Sequence, residues 1–170
     1  MKTFATCFTA LLLLVVHGTS ADSISEKADN DETVAVQTDD PAMLKAFEMA
    51  RRTLPEFLAR AASPAPGTSS YSVKVRISRG DNVEYFWVMP FSRTETTFSG
   101  TLANDGVMLP EYHEGQNYDF LESDIVDWLY SDDANGKMRG NFTACALLTH
   151  EDPAEAETFK QENGLECPDS

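Results

Sequence analysis

Basic residues are scarce in this chain of 170 residues: 13 Lys and Arg stand against 28 Asp and Glu, a formal net charge of −15. A surface so acidic repels phosphate backbones and anionic lipid, which argues against nucleic-acid binding and against attachment to a membrane. It suits a basic partner instead. Cysteine is sparse too, with three in the chain. No CxxC pair and no HExxH run supplies a zinc spacing. No Ser or Cys sits in a nucleophile elbow, and Gly136-Lys137 lacks a phosphate-cradling loop. No cofactor and no metal is expected. Beyond the N-terminus, no apolar run approaches the ~20 residues needed to span a bilayer.

What is present begins with an export signal. Lys2 supplies a positive charge, Phe4 to Val16 is mostly apolar, and Gly18-Thr19-Ser20-Ala21 are small. Those three regions read as a secretory signal peptide over residues 1–21, cleaved near Ala21. The implied location is periplasmic or secreted. Cleavage removes Lys2 and Cys7 and leaves Cys145 and Cys167. An even cysteine count in an oxidising compartment predicts a Cys145–Cys167 disulfide. Residues 22–39 are polar, acidic and aperiodic, and read as a disordered leader.

The predicted fold is α+β: a mainly antiparallel sheet of about five strands, packed by an N-terminal kinked helix and short later helices. The main domain spans 40–150, followed by a C-terminal helix and acidic tail over 151–170. Asp40-Pro41 reads as an N-cap with proline at the first helical position. Met43, Leu44, Phe47, Ala50, Leu54, Phe57, Leu58 and Ala61 recur at helical spacing, with two helical segments expected and a kink between them at Pro55. Tyr71, Val73, Val75 and Ile77 then alternate with Ser72, Lys74, Arg76 and Ser78, the period of a strand. Arg79-Gly80-Asp81-Asn82 is a hairpin turn. Strands are expected over Val83 to Met89, Thr96 to Leu102, Gln116 to Phe120 and Asn141 to Leu148. A short helix capped by Ser123 is expected to carry Ile125, Trp128 and Leu129 on one face. Asp152-Pro153-Ala154-Glu155 begins the last helix, with Gly164 at its C-cap.

Four stretches resemble a bacterial family of unknown function, the YegJ-like domain (DUF2314). They are Met49 to Phe57, Glu84-Tyr85-Phe86-Trp87-Val88 with Phe98-Ser99-Gly100, Asp124 to Tyr130, and Gly136 to Thr143. The similarity runs over about residues 41–149, and the tail with Cys167 reads as an addition to the family pattern. The resemblance implies a small, often exported α+β domain and carries no catalytic residues with it. At the level of fold, the helix bearing Asp127-Trp128 and the turn after it are also similar to small immunity-type domains.

The candidate binding surface comprises Glu84, Trp87, Glu111, His113, Asp127 and Trp128. Glu84 lies in the most apolar strand, so it needs a partner: an ion pair with Lys74 or Arg76, or a tuned role in a cleft. Glu111, His113 and Glu114 cluster an imidazole with carboxylates, which reads as an exposed polar loop or as a group able to bind a metal or do acid–base work. Asp124 and Asp127 are placed at the N-terminus of the short helix, and both tryptophans in the core. Asn141-Phe142-Thr143 matches a glycosylation sequon, discounted on a predicted strand. The expected function is a non-enzymatic exported binding or protein-interaction module, immunity-like, with a basic protein partner. The alternative is a periplasmic hydrolase using carboxylates around Glu84, Glu111 and Asp127.

Overall fold

A computed structural model describes residues 40–168. The predicted signal peptide and leader lie outside the described residues. Asp40 caps the first helix, α1 (Pro41–Ala62): its Oδ1 accepts the Met43 N–H at 2.9 Å. Met43, Ala46, Phe47, Ala50, Leu54 and Phe57 form its buried stripe. The helix is one element rather than two segments. Pro55 sits on its exposed side, away from the buried stripe.

Six antiparallel strands follow: β1 (Thr68–Arg79), β2 (Asn82–Arg93), β3 (Phe98–Leu102), β4 (Asn117–Phe120), β5 (Ile125–Asp132) and β6 (Lys137–Gly140). Their order in the sheet is β4-β3-β2-β1-β5-β6, six strands where about five were expected. β1 and β2 form the predicted hairpin, with Arg79 opposite Asn82. Gly80, at φ 58°, supplies the left-handed conformation that this two-residue turn requires. Val73, Val75 and Ile77 are buried, as the period of two implies. They join Phe86, Val88, Phe98, Leu102, Phe57 and Trp128 in the main core. A second cluster gathers Met43, Ala46, Phe47, Val126 and Ala146.

Strand β6 was not among the expected strands, and two further segments exchange helix and strand relative to the sequence reading. Residues 125–132 form strand β5, and only Glu122–Asp124 coil, as one 3-10 turn. Ile125, Val126, Trp128 and Tyr130 are β-favouring, and the segment is hydrogen-bonded by β1 on one side and β6 on the other. Conversely, residues 142–148 form a helix, α2 (Phe142–Leu148), rather than a strand. Asn141, at φ 54°, turns the chain out of β6, and α2 begins immediately.

The last helix, α3 (Pro153–Glu162), carries the predicted cap: Asp152 Oδ1 accepts the Ala154 N–H at 2.8 Å. Cys145 and Cys167 are disulfide-bonded, with Cα atoms 5.5 Å apart. The strand face expected to hold Cys145 does not exist, since α2 is helical. The bridge closes instead over a small cluster of Leu148, Ala156 and Leu165, packed by Met138 and Phe159. Glu166 adds ion pairs to Lys137 and Arg139.

Candidate functional site

Strand register places two candidate side chains, Trp87 and Asp127, in a row with Lys74. Lys74 on β1 pairs with Trp87 on β2 and with Asp127 on β5. Directly opposed residues of antiparallel strands share a face, so all three side chains lie on one side of the sheet. The Lys74 ammonium sits 4.6 Å from the centre of the Trp87 ring. It also donates to Thr143 Oγ1 at 2.7 Å, and Thr143 Oγ1 donates to Asp127 Oδ2 at 2.7 Å. The threonine hydroxyl thus bridges the two charges. Burial pushes Lys74 below the usual lysine range, against the attraction of Asp127. Burial likewise pushes the Asp127 carboxyl up, opposed by Lys74 and by the hydrogen bonds from Thr143 and Trp128.

Asp127 is fully buried and accepts three backbone N–H groups: Trp128 at 2.8 Å, Phe142 at 3.2 Å and Thr143 at 2.7 Å. The last two are the free N–H groups at the start of α2. Asn141 makes no side-chain cap there, so a neighbouring strand supplies the cap. The sequence reading put Asp127 on a helix serving that helix's own N-terminus. It serves a helix N-terminus, but of an element that begins fifteen residues later. Trp128, on the opposite face, is core as predicted: its Nε1 donates to Ala50 O and to Thr53 Oγ1, both at 3.2 Å. Trp87 is not core. It is half-buried, with Lys74 against it.

Glu84 makes neither the ion pair expected of it nor a cleft. It lies opposite Ile77, three residues from Lys74 along β1, and therefore on the other face of the sheet from Asp127. It is 2 % exposed. Its Oε1 accepts the Val107 N–H at 2.8 Å, and its Oε2 accepts those of Met108 at 3.1 Å and Leu109 at 2.8 Å. Those residues belong to the loop 103–116, between β3 and β4. Leu109 and Tyr112 plug that loop into the core. Asn104 Oδ1 accepts the Trp87 N–H, and Asp105 Oδ1 accepts the Glu114 N–H, both at 2.9 Å. At Gly106 an added Cβ would fall 2.2 Å from Leu109 O, so the turn closes only around a glycine. Glu111 and His113 are exposed on this same loop.

The carboxylates of the hydrolase reading are therefore divided. Glu84 and Asp127 lie on opposite faces, each held by backbone N–H groups, and Glu111 is at the surface. Among the described residues no cluster of His, Cys, Asp and Glu is arranged to hold a metal ion. A separate groove of about 810 Å³ runs between the end of α1, the start of β1 and the end of β2. Pro55, Leu58, Tyr71, Pro90, Phe91 and Phe98 line it, and none of the candidate residues does. Sequence reasoning missed Lys74 and Thr143 as partners of Asp127. The signal available was Lys74 itself, a lysine in the most regular alternating run of the chain.

The family model "Uncharacterized protein conserved in bacteria (DUF2314)" matches residues 40–167. That span takes in α3 and Cys167, so the C-terminal tail is part of the family pattern and not an addition to it. The "Uncharacterized protein YegJ" of Escherichia coli (strain K12) is 25% identical over 131 residues, covering 77% of this chain and 83% of that protein. No solved structure matches. The chain is a member of the DUF2314 family of bacterial proteins.

Proposed function

We propose that this chain is an exported binding module that recognises a basic protein through its acidic surface. The observation that supports this reading most directly is loop 103–116. It is fixed to the sheet from within by Glu84, and it presents Asp105, Glu111 and Glu114 to solvent with no Lys or Arg of its own. The overall balance of 28 acidic to 13 basic residues reinforces it. A surface of one sign steers a partner of the other during encounter, and it disfavours wrong partners of like charge. Export accords with the apolar N-terminus and with the Cys145–Cys167 bridge.

The test is affinity capture of the tagged full chain, expressed in its native cell and purified from the exported fraction. A specifically retained protein of high isoelectric point is expected, released as the screening length falls to about 3 Å at 1 M salt. Bait carrying Glu111→Lys and Glu114→Lys should lose it. Recovery of nothing, of acidic proteins alone, or of a partner indifferent to salt and to charge reversal rejects the reading.

A further inference from the structure

We propose that Val107 and Met108, at the tip of loop 103–116, form an apolar anchor that inserts into a hollow on the basic partner, and that Glu84 holds this tip in its binding shape. The inference rests on the reading above and names the contact at its centre.

Val107 is 69 % exposed and Met108 51 %. Exposed apolar residues are common and need no explanation one at a time. What sets these two apart is how rigidly they are held. The N–H groups of Val107, Met108 and the next residue, Leu109, all point inward onto the one buried carboxylate of Glu84. With the backbone turned inward at three successive residues, the first two side chains face water while Leu109 is buried behind them, at 2 % exposure. Burying a carboxylate is costly unless it is hydrogen-bonded, and the three backbone donors that satisfy Glu84 all come from residues 107–109 of this loop. Tyr112, on the same loop, is buried, and its hydroxyl has no hydrogen-bond partner among the described residues. Buried polar atoms are normally paired. A buried carboxylate given over to holding the loop and an unpaired buried hydroxyl thus lie under one short stretch of surface.

A tip fixed in advance loses little conformational freedom on docking, which strengthens association without new contacts. Met108 adds a flexible, polarisable side chain suited to filling an irregular hollow. Asp105, Glu111 and Glu114 lie on the same loop, and the arrangement of an apolar centre within a polar rim is that of a binding hot spot. The rim selects the occupant. Arg79, over the Tyr112 ring, is the basic group beside the loop. A second copy of this chain would bring its own excess of acid to the interface and be repelled, whereas a basic protein is attracted.

The experiment places photoreactive benzoyl-phenylalanine at position 108 of the full chain, and separately at position 44. Leu44 is equally exposed, at 52 %, but lies on α1. Irradiation in the native cell should join position 108, and not position 44, to a basic protein. Val107→Ser with Met108→Ser, both solvent-facing and so without effect on folding, should weaken that protein's binding by about tenfold or more. Glu84→Gln should weaken it as well, with the fold checked by circular dichroism. A basic protein that is captured but joins at position 44, or that binds the double serine variant as tightly as the native chain, overturns the anchor and leaves the proposed function standing. A crosslink at 108 to an acidic protein or to a second copy overturns the assigned partner. Absence of any basic partner overturns both.

Discussion

The carboxylate of Asp127 accepts the backbone N–H of Thr143 at 2.7 Å, so a buried strand residue provides the N-terminal cap of the helix that follows the next strand. α2 is seven residues long, too short to be stable by itself. It is held by this cap, by packing of Ala146 against α1 and β5, and by the bond through Cys145.

Asp127→Asn should destabilise the domain by about 3–5 kcal/mol, because it leaves the Lys74 ammonium buried without its counter-charge. Urea denaturation measures the loss. Adding Lys74→Met to that variant should recover part of it, since removing both charges abolishes the unpaired one. Native stability in Asp127→Asn would show that the bridge through Thr143 carries no energy.

Glu84→Gln should cost about 1–3 kcal/mol, the range for leaving buried groups unsatisfied. An amide presents one acceptor oxygen, while the three N–H groups are divided between two carboxylate oxygens. Hydrogen exchange at Val107, Met108 and Leu109 should accelerate selectively. Unchanged protection at these three amides contradicts the anchoring role.

Unreduced protein should be lighter by two hydrogens than the reduced chain, and alkylation of the folded protein should find no thiol at Cys145 or Cys167. Cys167→Ser should lower stability by about 3 kcal/mol, the entropy of closing a loop of this size, given the sequence separation of 22 residues. The loosened region should be α3 and the tail, which proteolysis then trims first. Equal resistance of the variant to protease argues against the tether.

Asp40 supplies a pH-dependent contribution. Its carboxyl is held below the usual range, first by the Met43 N–H and also by His150, whose Nε2 lies 3.0 Å from Oδ2. A depressed folded value gives stability that is present above the unfolded value, roughly pH 4, and is lost as pH falls through the folded one. Asp40→Asn keeps a capping oxygen and removes the titration. The stability gap between native and variant proteins should therefore close as the pH falls below roughly 4 and through the lowered folded value. Titrating groups that do not touch Asp40, Asp127 among them, are common to both proteins and cancel. A gap that widens on acidification contradicts the assignment.

N-terminal sequencing of the exported protein should begin at Asp22, following the small residues Thr19-Ser20-Ala21. Exported chain that begins at Met1 rejects the signal peptide.

Local patterns by themselves determined α1 and its Asp40 cap, the β1–β2 hairpin and the buried face of β1, β3, β4 and α3. Each of these is encoded within a few residues: a period of 3.6 or 2, a capping side chain, a turn glycine. Cysteine arithmetic was enough for the Cys145–Cys167 pairing, because only two cysteines follow the apolar leader. Tertiary structure alone decided residues 125–132 and 142–148, which the sequence reading had exchanged between helix and strand. Both segments are short and mostly apolar, so periodicity does not separate the two states. Pairing with β1 makes the first a strand, and a cap from Asp127 helps make the second a helix. The same holds for the charged groups. Glu84 was matched by proximity in sequence to Lys74 and Arg76, but it bonds N–H groups 23–25 residues away, and Lys74 belongs to Asp127 through a threonine 69 residues distant. A buried charge takes whichever donor the folded chain brings within 3 Å or so, and that choice is made by strand order and register rather than by local sequence.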